Sequence, residues 1–161
     1  MAAHIELQNP NNYVLREARL IRAAQTVLDQ HPGYVSAGMT IVITCAETLR
    51  ELNRRHRQVN APTDVLSFAA SPLPDDIDQD QGYLGDTLIA YDYAALQAET
   101  RGACLEDTLC LLVIHGALHL LGYKHDTPEA CAQMWSAQAR ALQSLGISIS
   151  IVDRYETVKQ V

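Results

Sequence analysis

The chain has 161 residues, of which 48% are hydrophobic and 19% charged, and it carries a net charge of −7. These are the proportions of one ordinary globular domain, 1–161, long enough to bury a real core. The acidic balance excludes a global basic field that would draw in nucleic acid, so any polyanion partner must meet a local basic patch.

The opening residues, MAAHIELQNP, lack a basic stretch followed by an apolar one, so no signal peptide is read. Ile5–Gln8 alternates as a short strand, and Asn9 to Asn12 forms a turn. From Tyr13 to His31 the apolar residues Leu15, Ala18, Ile21, Ala24, Val27 and Leu28 keep a helical period, which Pro32-Gly33 stops. Met39–Cys45 is a β-branched run expected as a buried strand. Ala46–Arg57 reads as a helix ending in Arg54, Arg55, His56 and Arg57, and Asp64–Ala69 as a second strand.

The loop carrying PDDIDQDQG comes next. Asp76, Asp78 and Asp80 alternate as in a calcium loop, but the glycine falls one place late and position twelve is Thr87, so a solvated loop is expected. YLGDTLIAY is a further strand. Helices then follow over Asp92–Thr100, Leu105–Leu121 and Pro128–Leu145, with Gly122 and Gly146 at the stops and Thr127-Pro128-Glu129 as a helix start. Residues 147–161 read as a C-terminal tail. The longest apolar stretch, Leu109–Leu121, is interrupted by two histidines and is too short to span a bilayer, so no membrane contact and a cytoplasmic location are expected. The four cysteines, 45, 104, 110 and 131, lack CxxC spacing and read as reduced core thiols of a cytosolic protein, the lesser alternative being that one of them is a zinc ligand. The elements predict an α/β (α+β) fold with a small mixed sheet of about four strands and about five helices.

The chemistry concentrates in HGALHLLGYKHD. His115 and His119 are four apart, so a helix presents both imidazoles on one face. Gly122 ends that helix, and the chain can turn back to bring His125 as a third nitrogen. Such a pair alone is more often packing or surface. The third histidine beyond a glycine stop and the apolar surroundings favour a metal, since uncompensated buried imidazoles are disfavoured. Three protein ligands with an open fourth position is the catalytic zinc pattern. Nickel, copper and iron also suit imidazole. In HExxH sites a glutamate follows the first histidine as general base. Here that position is Gly116, which disfavours peptidase chemistry; either the base lies elsewhere or the substrate supplies it, as a phosphate oxygen can.

HGALHLLGYKH resembles the H-G-x-L-H-L-x-G-Y-D-H signature of the YbeY family of bacterial endoribonucleases and rRNA maturation factors. Leu52–Phe68 resembles its second block, L-N-x-x-[YF]-R followed by P-T-D-V-L-S-F, and Leu84–Ala90 its L-G-D-I-x-I strand. The resemblance implies a mixed α/β fold with one zinc on His115, His119 and His125. It implies metal-dependent hydrolysis of single-stranded RNA, with roles in maturing the 3′ end of the small-subunit rRNA and in ribosome quality control. The ribosome or its small subunit, with associated proteins, is then the expected partner. The family's functional arginine falls on Arg57, whose fork matches phosphate oxygens; Arg54 and Arg55 read as a solvated helix end favoured by the dipole.

Asp64, Ser67 and Asp86 also fall in matched blocks, and each has a structural reading beside the functional one. Asp64 is a turn or cap residue or a catalytic one, and Ser67 packs or makes a local hydrogen bond. Asp86 either orients a histidine from behind or is a turn carboxylate. Three positions depart from the family pattern. Lys124 replaces an aspartate and either repels a cation or adds a phosphate contact. His56 replaces an aromatic residue, and Gln138 stands where many members carry glutamate. The rival functions are a non-catalytic assembly factor whose metal only ties the loop to the helix, and a zinc hydrolase of peptides or esters.

Overall fold

The computed structural model describes residues 3–58, 63–70 and 82–152. Four strands, β1 (His4–Gln8), β2 (Gly38–Thr44), β3 (Val65–Ala69) and β4 (Tyr83–Ala90), form one sheet in the order β1-β2-β4-β3. β1 and β4 both run parallel to β2, and β3 closes the edge antiparallel to β4, with Ser67 opposite Thr87. Among the described residues five helices of more than two turns pack with it: α1 (Glu17–Asp29), α2 (Ala46–Arg57), α3 (Tyr91–Arg101), α4 (Leu105–Leu120) and α5 (Pro128–Ser144). The mixed sheet and α/β class are those the sequence predicts. The acidic loop with Asp76, Asp78 and Asp80, expected as a solvated loop, lies outside the described residues.

Strand alternation divides the apolar residues between two faces. Met39, Ile41, Ile43 and Ile89 join the main core with α1, α4 and α5, while Leu66 and Ala90 join Leu49 of α2 in a smaller one. α4 is apolar all round and is buried without interruption from Thr108 to Leu118. That is the pattern of a helix enclosed by other elements rather than lying on a surface. Three features differ from the sequence reading. α1 begins at Glu17 rather than Tyr13, because the Asn9 side chain holds both the N–H and the carbonyl of Tyr13 and the Tyr13 ring stacks on Tyr91 at 4.4 Å. Of the four cysteines only Cys110 is core; Cys45 and Cys104 flank helix starts, and Cys104 is exposed. Ile147 and Ile151, in the segment read as a tail, are buried. Among the described residues no helix is long and apolar enough to cross a membrane.

Candidate metal centre

The last turns of α4 carry His115 and His119, and their side chains meet as the spacing requires. The two Nε2 atoms lie 3.1 Å apart. His119 Nδ1–H donates to the Tyr123 carbonyl at 3.0 Å, and His115 Nδ1–H donates to Gln138 Oε1 at 3.1 Å. A carbonyl oxygen only accepts, so each ring donates from Nδ1, and in its neutral form carries its lone pair on Nε2, the atom that faces the other ring. Two lone pairs converging at that distance are stabilised by a shared cation. The donor set therefore fits a metal, and zinc takes imidazole nitrogens readily.

The third ring arrives through a helix ending. Gly122, at φ +99°, follows α4, its N–H donating to His119 O at 3.0 Å while Tyr123 N–H donates to Leu118 O at 3.0 Å. This paired closure of the last carbonyls needs the left-handed backbone that glycine adopts without strain. It reverses the chain and brings His125 back, so that ligand atoms of the three histidines lie within 4.8 Å of one another. His115 is buried, His119 half-buried and His125 exposed, so the cluster spans from core to solvent. Trp135 of α5 packs against both ends, its ring 5.8 Å from His115 and 5.7 Å from His125. Thr127 caps α5 by accepting from Ala130 N–H at 3.1 Å, which fixes where that helix starts just beyond His125.

A cavity of about 130 Å³ opens over the histidines and is lined also by Arg57, Thr63, Val65 and Ser67. α2 delivers Arg57 in its last turn, and its start is fixed by Asp92, which accepts from Ala46 N–H at 2.7 Å. Arg54 and Arg55 instead both bond Glu51, at 2.6 and 3.0 Å, as a solvated helix end would. Ser67 donates to the Gly116 carbonyl at 2.9 Å and lies 3.1 Å from Thr87 Oγ1, tying β3 to the histidine-bearing turn. α4 comes so close there that a Cβ on Gly116 would lie 2.2 Å from Thr87 Cγ2. The missing glutamate thus has a steric cause, since a side chain at that position would collide with Thr87.

Asp64 is buried and accepts from Ala90 N–H through its backbone carbonyl, but does not line this cavity. Asp86 accepts from the Tyr83 hydroxyl rather than from a histidine, and burial followed by that carboxylate holds the Tyr83 phenol above its usual range. The orienting acceptors are Gln138 and a main-chain carbonyl. Gln138 was visible in the sequence only as a departure from the family glutamate, and Trp135 carried no signal at all. His56 packs edge-on against Phe68 at 5.2 Å. Lys124 is exposed and lines a neighbouring cavity of about 400 Å³ with Tyr123 and Asp126, not the histidine cavity.

Comparison with known proteins places this site in a family. The sequence model described as Endoribonuclease YbeY matches residues 5–146. The chain is 35% identical over 144 residues to the Endoribonuclease YbeY of Nocardia farcinica (strain IFM 10152), covering 86% of this chain and 78% of the relative. It is 40% identical over 119 residues to that of Shouchella clausii (strain KSM-K16), covering 70% and 74%. The solution structure of TM1509 from Thermotoga maritima superposes with a TM-score of 0.53 at 19% identity, covering 87% of this chain and 90% of that one, and shares the fold. With the family match spanning the strands, the cavity wall and all three histidines, the chain belongs to the endoribonuclease YbeY family.

Proposed function

We propose that this chain is a zinc-dependent endoribonuclease that cuts single-stranded RNA. We assign it to 3′-end maturation of the small-subunit rRNA and to ribosome quality control in the cytoplasm. The observation that carries the reading is the convergence of three imidazoles within 4.8 Å beside a cavity that Arg57 also lines. His115, His119 and His125 would hold the metal. When bound, zinc supplies Lewis acidity toward a phosphoryl oxygen and toward water. Gln138 and the Tyr123 carbonyl keep the first two rings in the ligand tautomer. Arg57 binds and orients the scissile phosphate through its planar fork, a positioning that supplies much of the catalysis in phosphoryl transfer. Among the described residues the cavity wall carries no carboxylate, so a phosphate oxygen of the substrate serves as proton acceptor. With a net charge of −7, affinity for free RNA is weak, and a ribosomal partner delivers the substrate.

Purified protein assayed on single-stranded RNA, with and without chelator, tests this. Chelation, or His115→Ala, should abolish cleavage, and Arg57→Ala should lower kcat/KM by about 100-fold. Cleavage that survives chelation refutes the metal role. No cleavage by zinc-loaded wild type, with His119→Ala lowering only the melting temperature, favours a structural assembly factor instead. Equal rates on free rRNA and assembled subunits refute the delivery step.

A further inference from the structure

The loop that returns His125 is exposed at Gly122, Lys124, His125 and Asp126, and only Tyr123 is half-buried. Tyr123 is gripped from a distant part of the chain. His31, just past α1, donates from Nδ1–H to Val27 O at 2.6 Å, which leaves Nε2 to accept from the Tyr123 hydroxyl at 2.8 Å. The two rings also meet edge-on, with centroids 5.5 Å apart. At its other end, the Tyr123 carbonyl accepts from His119 Nδ1–H.

From this chain of contacts we infer that His31 is a positioning residue for the metal centre, acting through Tyr123. It touches neither the ligand nitrogens nor the cavity. It anchors the residue whose carbonyl orients His119 and from which the return to His125 begins. The inference rests on the reading of the three histidines as a metal site. An unanchored loop samples more conformations, and apparent affinity falls in proportion to the fraction that is ligand-competent. His31, bonded to the last turn of α1, thereby lets that helix end set how strongly the site holds its ion.

Tyr123→Phe keeps the ring and removes one hydroxyl; His31→Phe keeps the edge-on packing and removes the acceptor. Zinc affinity of each, measured by competition with a chromophoric chelator, should weaken about tenfold, with metal-free melting temperatures close to wild type. The double variant should bind no more weakly than either single, because both changes break one bond. Wild-type affinity in Tyr123→Phe overturns the inference while leaving the metal site standing. Additive losses in the double variant also overturn it, since they mean two independent packing effects. A wild type that binds no zinc removes the metal reading and this inference together.

Discussion

At Gly116 the helix backbone approaches the sheet so closely that even a methyl group has nowhere to go. Beyond Thr87 Cγ2 at 2.2 Å, an added Cβ would meet Thr87 Oγ1 at 2.9 Å and Ser67 Oγ at 3.1 Å, and Thr87 is wholly buried. Two effects compete in Gly116→Ala. Helix propensity favours alanine by about 1 kcal/mol, while overpacking a rigid neighbourhood costs about 1–3 kcal/mol. The overlap here is with a buried β-branched side chain, so overpacking should win and urea unfolding should give a net loss of up to about 2 kcal/mol. Adding Thr87→Ser removes the methyl at 2.2 Å, so the double variant should recover part of that loss. Wild-type stability in Gly116→Ala would show that α4 can withdraw freely from β3 and β4, and the steric account of the missing glutamate would go with it.

Among the elements, those written in local pattern were legible and those written in contacts were not. α2 runs from Ala46 to Arg57 as its periodicity and flanks indicate, and α5 starts at Pro128 because Thr127 caps it and proline fits the first position. The pair on α4 was legible because four residues make about one turn, and the return to His125 because Gly122 stops the helix. What orients the pair was not. Gln138 lies 23 residues beyond His115, and a main-chain carbonyl such as that of Tyr123 has no side-chain signature at all. Asp86 drew attention as a carboxylate beside a glycine, yet its partner is Tyr83, three residues away on its own strand. The cap carries a prediction at this scale. Thr127→Ala removes the acceptor of Ala130 N–H and should cost about 1 kcal/mol, with Thr127→Ser nearly neutral. In a chain of this size that lowers Tm by about 2–4 °C in a thermal melt. An unchanged Tm would mean that the core contacts of Met134, Ala137 and Leu142 hold α5 regardless of its start.

For the molecule as a whole, the class of fold followed from the mixture of elements, but the strand order did not. The pairing of β2 with β4, and of β4 with β3, joins residues far apart in sequence through backbone groups common to every residue. Charge, by contrast, was readable from composition alone, and the fold shows how an acidic chain keeps a basic helix end stable. Glu51 sits between Arg54 and Arg55, and its hydrogen bond to Arg54 leads the effects that hold its carboxyl down at about 2, from an ordinary value of 4.5. A carboxyl whose pKa is depressed by folding stabilises the native state above its unfolded pKa. That contribution fades as pH falls through the folded value. The advantage of wild type over Glu51→Gln should therefore be constant above about pH 4.5 and shrink toward zero by about pH 2. The cluster is exposed, so the difference is small and should diminish further in high salt. Urea melts of both proteins at a series of pH values, at low and high ionic strength, check this, the subtraction removing every other carboxylate. An advantage that instead grows on acidification, or that ignores salt, would mean that Glu51 acts by packing and not by its charge.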